Sequence, residues 1–362
     1  MPVSASSSSA TDHFGDFPAR GDSSARWVST HLYYHDSLNN LLRSAVRPLV
    51  GELTAGGLID GFFFIRYWQG GSHVRLRVLL RHQTAARLVE HLISARIGRF
   101  FARCPSQALV RPEDYLRAAG WLSQHEFGQG RAGQRETMIE PLQPDNSLRY
   151  IAYVPEESRL GGPAGVAAFE PHFTDSSTLA LELIAANPSE QRRTGRALAM
   201  MLLAAAVVIP DVTRLARYFR YSYRDWADRH AGGDSTRSAR YETGYQQAYD
   251  RQRAQLGKLA RRLLDETRPG AGERLDAASA RWVASVSRLA DRLTEARLAL
   301  EPLLFQCLHK HNNRLGITVA EETYLLFLLQ RTLTEIEGRG PDDRRGRLAQ
   351  RPDLLLRRQV QR

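Results

Sequence analysis

The 362-residue chain is 43% hydrophobic and 25% charged, which excludes disorder throughout and allows a sizeable core in one large or two modest domains. Its formal charge of +11 invites a nucleic-acid reading, because clustered cations release counterions from phosphate. Lys258 and Lys310 are its only lysines, however, and the arginine-rich stretches 214–229 and 344–362 carry aspartates or leucines at helical spacing, as solvated amphipathic faces do. Direct nucleic-acid binding is therefore not expected, whereas an acidic partner such as an anionic peptide would be attracted at long range.

Residues 1–25 mix Ser, Ala, Gly and Asp without periodicity and are expected to form a disordered arm, since nothing in them offsets the entropy of ordering. No basic start leads into an apolar stretch, so no secretory signal is read and a cytoplasmic location is expected. Trp27–Tyr34 is rich in aromatic and β-branched residues and predicts a first strand, ending at His35-Asp36 where a helix can be capped. Leu38, Leu41, Leu42, Ala45, Leu49 and Leu53 then recur at three- and four-residue spacing up to Gly56-Gly57, predicting a helix kinked at Pro48. Two strands follow, one through Phe62–Trp68 and one through His73–Val78, around Gln69-Gly70-Gly71-Ser72. They predict a tight hairpin with a two-residue loop at Gly70-Gly71. With a further helix around 84–97, the order strand, helix, strand, strand, helix opens a ferredoxin-like layer in which helices cover one face of an antiparallel sheet.

Residues 128–146 look like a loop, and 150–154 suggest another strand leading into Pro155–Gly162. Beyond Asp175, a good N-cap, the chain reads as helical almost to its end, with breaks at Asn187-Pro188, Pro210, Gly232-Gly233 and Pro269 to Gly272. The longest uncharged apolar run, 197–209, is too short to cross a bilayer and stops at Pro210, so it reads as a buried helix and no membrane association is expected. The expected fold class is α+β. A β-rich, ferredoxin-like N-terminal half precedes a mostly helical C-terminal half in one compact unit, residues 26–338, followed by a charged tail, 339–362.

Cys104 and Cys307 cannot make a disulfide framework, and no Cys/His spacing matches a zinc site. No nucleophile elbow, phosphate-binding glycine loop, dinucleotide fingerprint or helical His-Glu-x-x-His is present, which disfavours those enzyme classes. Three segments remain. On the second hairpin strand, side chains two apart share a face, so His73, Arg75 and Arg77 line one side while Val74, Leu76 and Val78 bury the other. A two-residue turn pairs Trp68 with His73 and Arg66 with Arg75, setting two arginines opposite each other. Like charges across a ladder are destabilising, so the cluster needs an anion or a carboxylate from elsewhere in the fold, unless the face is simply solvated. The second segment is Phe305–Gly316, a helical end closed by Gly316. His309 and His311 stand two apart and point in different directions, which argues against a shared metal. Either could act as acid or base, since imidazole titrates near neutrality, and either could equally be a packing residue. The third is Tyr153–Gly162, where Arg159 precedes two glycines that permit tight turns. Its plainer reading is an exposed loop.

In this order, the three segments resemble the domain that forms the C-terminal part of lantibiotic dehydratases and also occurs as a separate protein in thiopeptide biosynthesis. Trp27–Tyr34 resembles the family's opening strand, and Phe64-Ile65-Arg66-Tyr67 followed by His73-Val74-Arg75-Leu76-Arg77 resembles its central hairpin. Tyr153–Gly162, with Phe173-Thr174-Asp175-Ser176 beyond it, resembles the Tyr/Glu/Arg-Tyr-Gly-Gly block and the helix start that follows. His309–Gly316 resembles the C-terminal His-rich Asn-Arg-Leu block. Leu160 stands where the family has an aromatic, and Gln69-Gly70-Gly71 where it has an acidic-proline turn. The resemblance brackets residues 27 to about 335.

It implies β-elimination on a ribosomally made precursor peptide, leader and core. A separate glutamylation enzyme uses glutamyl-tRNA to esterify Ser or Thr, and this chain, too short to hold that half as well, expels the glutamate to leave dehydroalanine or dehydrobutyrine. By resemblance, Arg75 and Arg77 hold the glutamyl carboxylates, Arg159 stabilises developing negative charge, and His309 transfers the proton, with His311 as its substitute. Arg66, His73, Tyr153, Asn313 and Arg314 complete the expected substrate-binding set. Neither a metal nor an organic cofactor is called for, and a homodimer is compatible. The same fold serves thiopeptide pyridine synthases, which join two dehydroalanines in a formal [4+2] cycloaddition and release the leader; the long stretch 231–275 suits that alternative. A noncatalytic leader-peptide carrier is a third reading, and a leader could bind by adding a strand to a sheet edge.

Overall fold

The computed structural model describes residues 26–127, 139–231, 234–268 and 275–338. The expected arm 1–25, the tail 339–362, part of the 128–146 loop, the Gly232-Gly233 break and the break after Arg268 lie outside the described residues.

Strand β1, Trp27–Tyr33, leads to helix α1, Leu38–Leu41, which passes through a π-helical turn, Leu42–Val46, into α2, Arg47–Ala55. The π turn comes just before Pro48, whose ring cannot donate the next hydrogen bond, so the helix adjusts at the point where a kink is expected. Strands β2, Ile59–Tyr67, and β3, His73–Leu80, precede α3, Ala86–Arg103, and α4, Pro112–Phe127; β4, Ser147–Tyr150, closes the sheet. The strand order β2-β3-β1-β4, antiparallel throughout, is that of a ferredoxin-like layer. Val28, Leu32, Phe62, Phe64, Val74, Leu76 and Val78 fill one face together with Leu41, Leu42, Val46, Leu49, Val89, Ile93 and Ile97 from α1 to α3. These positions carry the periods of two and three to four residues that make one apolar face each.

The hairpin departs from its expected register. Tyr67 pairs with His73, Arg66 with Val74, Ile65 with Arg75 and Phe63 with Arg77, so residues 68–72 form the loop. A one-residue slip moves every side chain to the other face, and Arg66 therefore does not join Arg75. Tertiary contacts hold the longer loop. The Gly70 N–H donates to the Tyr115 hydroxyl of α4 at 2.7 Å, and the Gln143 N–H donates to the Gly70 carbonyl at 2.8 Å. Gly71, at φ +101°, lies so close to His35 and Leu142 that a Cβ would fall 2.5 Å from His35 Nε2.

The second half is helical as expected, but it starts earlier. Helix α5, Glu157–Leu160, turns through Gly161 and Gly162, both left-handed, straight into α6, Gly162–Ala185, so Asp175 is a helix-interior residue rather than a cap. A Cβ on Gly165 would meet the Leu160 carbonyl oxygen at 1.7 Å, so α5 lies directly on the first turn of α6. The run 197–209 supplies most of α7, Glu190–Val208, whose residues Ala197, Leu198 and Met200 to Ala206 are all buried. Helices α8, Val212–Ala231, α9, Ser235–Glu266, α10, Ala277–Glu295, α11, Leu300–Leu315, and α12, Val319–Glu337, complete the unit. One apolar core runs from the sheet through these helices. No described helix is long and apolar enough to cross a membrane.

Candidate active site

The sheet's second face is polar. The register places His31 and Tyr33 of β1, His73, Arg75 and Arg77 of β3, and Phe63, Ile65 and Tyr67 of β2 on it together. His73 bonds through both ring nitrogens: Nδ1 donates to the Gly71 carbonyl at 2.8 Å, and Nε2 accepts from Arg75 Nε at 3.2 Å. That arrangement requires a neutral ring. Burial, reinforced by the guanidinium charges of Arg75 and Arg77, pushes the pKa of His73 down to about 3 and that of its stacked neighbour His31 to about 2. Arg75, held by His73, lies 3.6 Å over the Tyr67 ring.

Two residues along, Arg77 is buried with its guanidinium 5.3 Å from the Phe63 ring and 4.9 Å from the Tyr153 ring. Its Nε has no hydrogen-bond partner among the described residues. Helix α11 faces it with Lys310 and Arg314, four residues apart and so on one helical face. Lys310 Nζ donates to both carboxylate oxygens of Glu156, each at 3.0 Å. Arg314 donates to Ser177 Oγ at 3.0 Å and Ser176 Oγ at 3.3 Å, and its guanidinium lies 4.8 Å from the Phe173 ring. These groups enclose a cavity of about 20 Å³, room for about one water-sized atom. At its rim, Arg159 stands 3.8 Å from Glu156, with both side chains over a third exposed. Val154 beside them is exposed.

The electrostatics are unbalanced. Arg77, Lys310 and Arg314 share one lining carboxylate, Glu156. Burial lowers the pKa of Arg77 to about 10 and that of Arg314 to about 9, and burial lowers Lys310 as well although Glu156 opposes it. Burial alone would raise Glu156, but Lys310, Arg159 and Arg77 outweigh it and hold the carboxyl below its usual range. Tyr153 is raised by burial and by Glu170, with which it is hydrogen-bonded.

The other expected site residues lie elsewhere. His309 Nδ1 sits 2.7 Å from Glu322 Oε2, its ring against Trp226 and Phe305, none of which lines the Arg77 cavity. His311 is buried, stacked 4.1 Å over Trp282, with Nδ1 2.8 Å from Ser176 Oγ; burial and Arg314 push its pKa well below the normal value. Ser176 links it to the cavity, since its hydroxyl also accepts from Arg314. Asn313 serves the sheet edge: its side-chain amide accepts from the Arg66 N–H at 2.8 Å and donates to the Arg66 carbonyl at 2.9 Å, standing in for a missing strand. The Arg66 guanidinium, on the opposite face, donates to the Arg314 carbonyl and to Asn39. It lines a separate cleft of about 790 Å³.

The structure therefore gathers Arg77, Tyr153 and Arg314 with Arg159 at the rim, and aligns Arg75 and His73 on the adjoining sheet face. It does not bring Arg66, Asn313, His309 or His311 into the cavity. Glu156 and Lys310 went unassigned in the sequence. The available signal was Lys310 itself, one of two lysines among the chain's 50 lysines and arginines, four residues before Arg314. Among the described residues no cluster of His, Cys, Asp and Glu could hold a metal ion.

Comparison with solved structures finds the pyridine synthase TbtD from thiomuracin biosynthesis, with a TM-score of 0.70 and 19% identity over 86% of this chain and 99% of that one. TsrL follows at a TM-score of 0.62 and 16% identity, covering 85% and 94%. The tRNA-dependent lantibiotic dehydratase MibB from Microbispora sp. 107891 gives 0.49 and 18%, covering 89% of this chain and 29% of that one. At such identities the likeness to TbtD and TsrL is one of fold. A search of curated proteins finds no match. The profile of the family described as lantibiotic biosynthesis dehydratase C-term matches residues 27–333. That span holds the sheet, the cation-lined cavity and the helices behind it, and the chain belongs to the lantibiotic biosynthesis dehydratase C-terminal family.

Proposed function

We propose that the chain is the elimination partner of a separate glutamyl-tRNA-dependent enzyme, removing glutamate from glutamylated Ser or Thr of a ribosomally made precursor peptide. The observation that carries this reading is the cavity of Arg77, Lys310 and Arg314 with its one carboxylate. Buried cations in excess of their counter-charges hold a standing demand for an anion, and such imbalance clusters at functional sites. A glutamyl ester meets the demand twice, with its free carboxylate on binding and with the carboxylate that forms as the Cβ–O bond breaks. Arg77 and Arg314 are poised to stabilise that departing charge, which is where preorganised donors act most strongly. Arg159 at the rim and Arg75 on the open face are placed to hold the second carboxylate and the peptide.

The test follows two substrates by mass. With a glutamylated precursor peptide the expected product has lost glutamic acid, and Arg77→Ala should accumulate glutamyl adducts. An unchanged rate in that variant overturns the site. A peptide already bearing dehydroalanines is expected to remain unaltered.

One observation favours a second reading. The fold is shared with TbtD, titled a pyridine synthase, over 99% of that chain, including the helical second half with the 32-residue α9. A formal [4+2] cycloaddition would appear as ring formation with leader release from the dehydroalanine peptide. No change to either peptide would leave the carrier role.

A further inference from the structure

Elimination needs a group that removes the Cα proton, and among the described residues no imidazole lines the cavity. His309 is turned to Glu322 and Trp226, and His311 is enclosed by Ser176, Met200 and Trp282. His73 has committed both ring nitrogens to Gly71 and Arg75. We propose that Lys310 is the proton-transferring group of this site, an amine standing in the place that an imidazole was expected to fill. The proposal rests on the elimination reading.

Four observations carry it. Lys310 Nζ lines the cavity together with Arg77 and Arg314, the two groups placed to receive the leaving carboxylate. In a chain that otherwise uses arginine almost everywhere, a lysine here retains a group that can lose its proton; a guanidinium cannot do so near neutrality. Arg314 on the same helix, Arg77 on β3 and Arg159 on α5 are cations around the amine, while Glu156 is the carboxylate among the lining groups and Tyr153 and Phe173 supply aromatic walls. Burial, Arg314 and Arg159 favour the neutral amine and Glu156 favours the ammonium. Finally, Glu156 binds Lys310 through both oxygens while its side chain is 44% exposed, which gives the captured proton a route to water.

The step balances. Lys310 first gives its proton through Glu156 to solvent; the neutral amine then takes the Cα proton and becomes an ammonium, and the freed electron pair forms the Cα=Cβ bond. The Cβ–O bond breaks, and its pair leaves on the glutamate carboxylate, stabilised by Arg77 and Arg314. Lys310 then passes the proton through Glu156 to solvent, so no oxidant or metal is required.

The experiment is single-turnover release of glutamate from a glutamylated precursor peptide, across the neutral pH range, with peptide affinity measured alongside. Lys310→Arg keeps the charge and the ion pair but cannot act as a base. It should slow release by at least about a hundredfold, the usual scale of general base catalysis, while affinity changes by less than about threefold. Lys310→Cys, made in a Cys104→Ser background because Cys104 is exposed and Cys307 buried, and alkylated with 2-bromoethylamine, restores a less basic amine. It should recover release and move the ascending limb of the pH profile to lower pH. A merely structural lysine would give an active Lys310→Arg and an unmoved profile, and either result overturns the proposal. So does a folded His309→Asn or His31→Asn variant that loses as much activity as Lys310→Arg. A wild-type chain that releases no glutamate takes down the elimination reading itself, and the role of Lys310 with it.

Discussion

Adjacent residues of β2 send their side chains into two different hollows. Ile65 helps to line the cavity of Arg77, and Arg66 lines the cleft on the other side of the sheet. The cleft is far larger, about 790 Å³ against about 20 Å³, and carries five arginines: Arg66, Arg192, Arg193, Arg196 and Arg262. Several of these are already matched. Arg193 pairs with Glu321 at 2.6 Å, Arg196 with Asp276 at 2.8 Å, and Arg262 with Glu266 at 3.7 Å, all partly in water. Such pairs contribute little and demand nothing further. In the small cavity three buried cations face one carboxylate, and Arg77 leans on aromatic rings. Volume alone would direct attention to the cleft; uncompensated buried charge directs it to the cavity.

The sharpest way to break that contrast is Arg77→Met. A buried cation without full compensation costs folding energy, and replacing such groups by apolar side chains of similar volume is often neutral or stabilising by about 1–4 kcal/mol. The variant should lose elimination by at least about a hundredfold while its denaturant midpoint holds or rises. A midpoint drop equivalent to about 3 kcal/mol would mean that Arg77 serves the fold, and the cavity would no longer differ in kind from the cleft.

A second difference lies in pH. The cavity's sheet face and the helical interior behind it hold His31, His73, His172 and His311 neutral, burial pushing them to about 2, about 3, about 3 and well below normal. A base with a depressed folded pKa binds fewer protons than the unfolded chain at every pH between its two values. Stability is therefore complete above the unfolded value of about 6.5 and is lost as pH falls below it, each ring removing up to about 1.4 kcal/mol per pH unit. Urea midpoints measured stepwise from neutral to mildly acidic pH should fall steeply. Glu156, with its lowered carboxyl, acts only in a lower window, its stabilisation fading as pH drops below the unfolded carboxylate value. A flat profile would show that these rings take up protons in the folded chain as readily as in the unfolded one, which His73 cannot do while Nε2 accepts from Arg75.

Much of this architecture was legible in periodicity. Alternation along β3 put His73, Arg75 and Arg77 on one face, and three- and four-residue spacing placed the first helix, because a single buried face requires those patterns. The hairpin register was not legible, since its loop is set by contacts from Tyr115, Gln143, His35 and Leu142, distant in sequence. The start of α6 was hidden by the Gly-Pro-Ala-Gly composition of residues 162–165, which reads as loop until α5 and the buried Val166, Phe169 and Phe173 pack upon it. Arg77 and Tyr153 line the cavity with Arg159 beside Glu156, although position 77 lies on a separate stretch of the sequence from 153 and 159. On a helix, residues 310 and 314 share a face while 309 and 311 do not, but which face of α11 meets the sheet is set by packing that the spacing does not reveal.

Smaller effects test the boundary between the two hollows. Asn313→Ala strips the outer edge of β2 of the amide that pairs the Arg66 N–H and carbonyl. Unpaired backbone groups in that half-buried position cost about 1–3 kcal/mol, so the denaturant midpoint should fall while glutamate release, measured on the folded fraction, stays near wild type. The smallest effect is expected in the cleft. Arg192 is exposed, and Arg262 is partnered within its own helix. Arg192→Ala and Arg262→Ala should therefore leave the melting profile and the elimination rate within experimental scatter, since surface substitutions away from buried networks rarely do more. A tenfold loss of turnover in either variant would place the peptide's path through the cleft, and the matched arginines there would have to be counted as part of the working site.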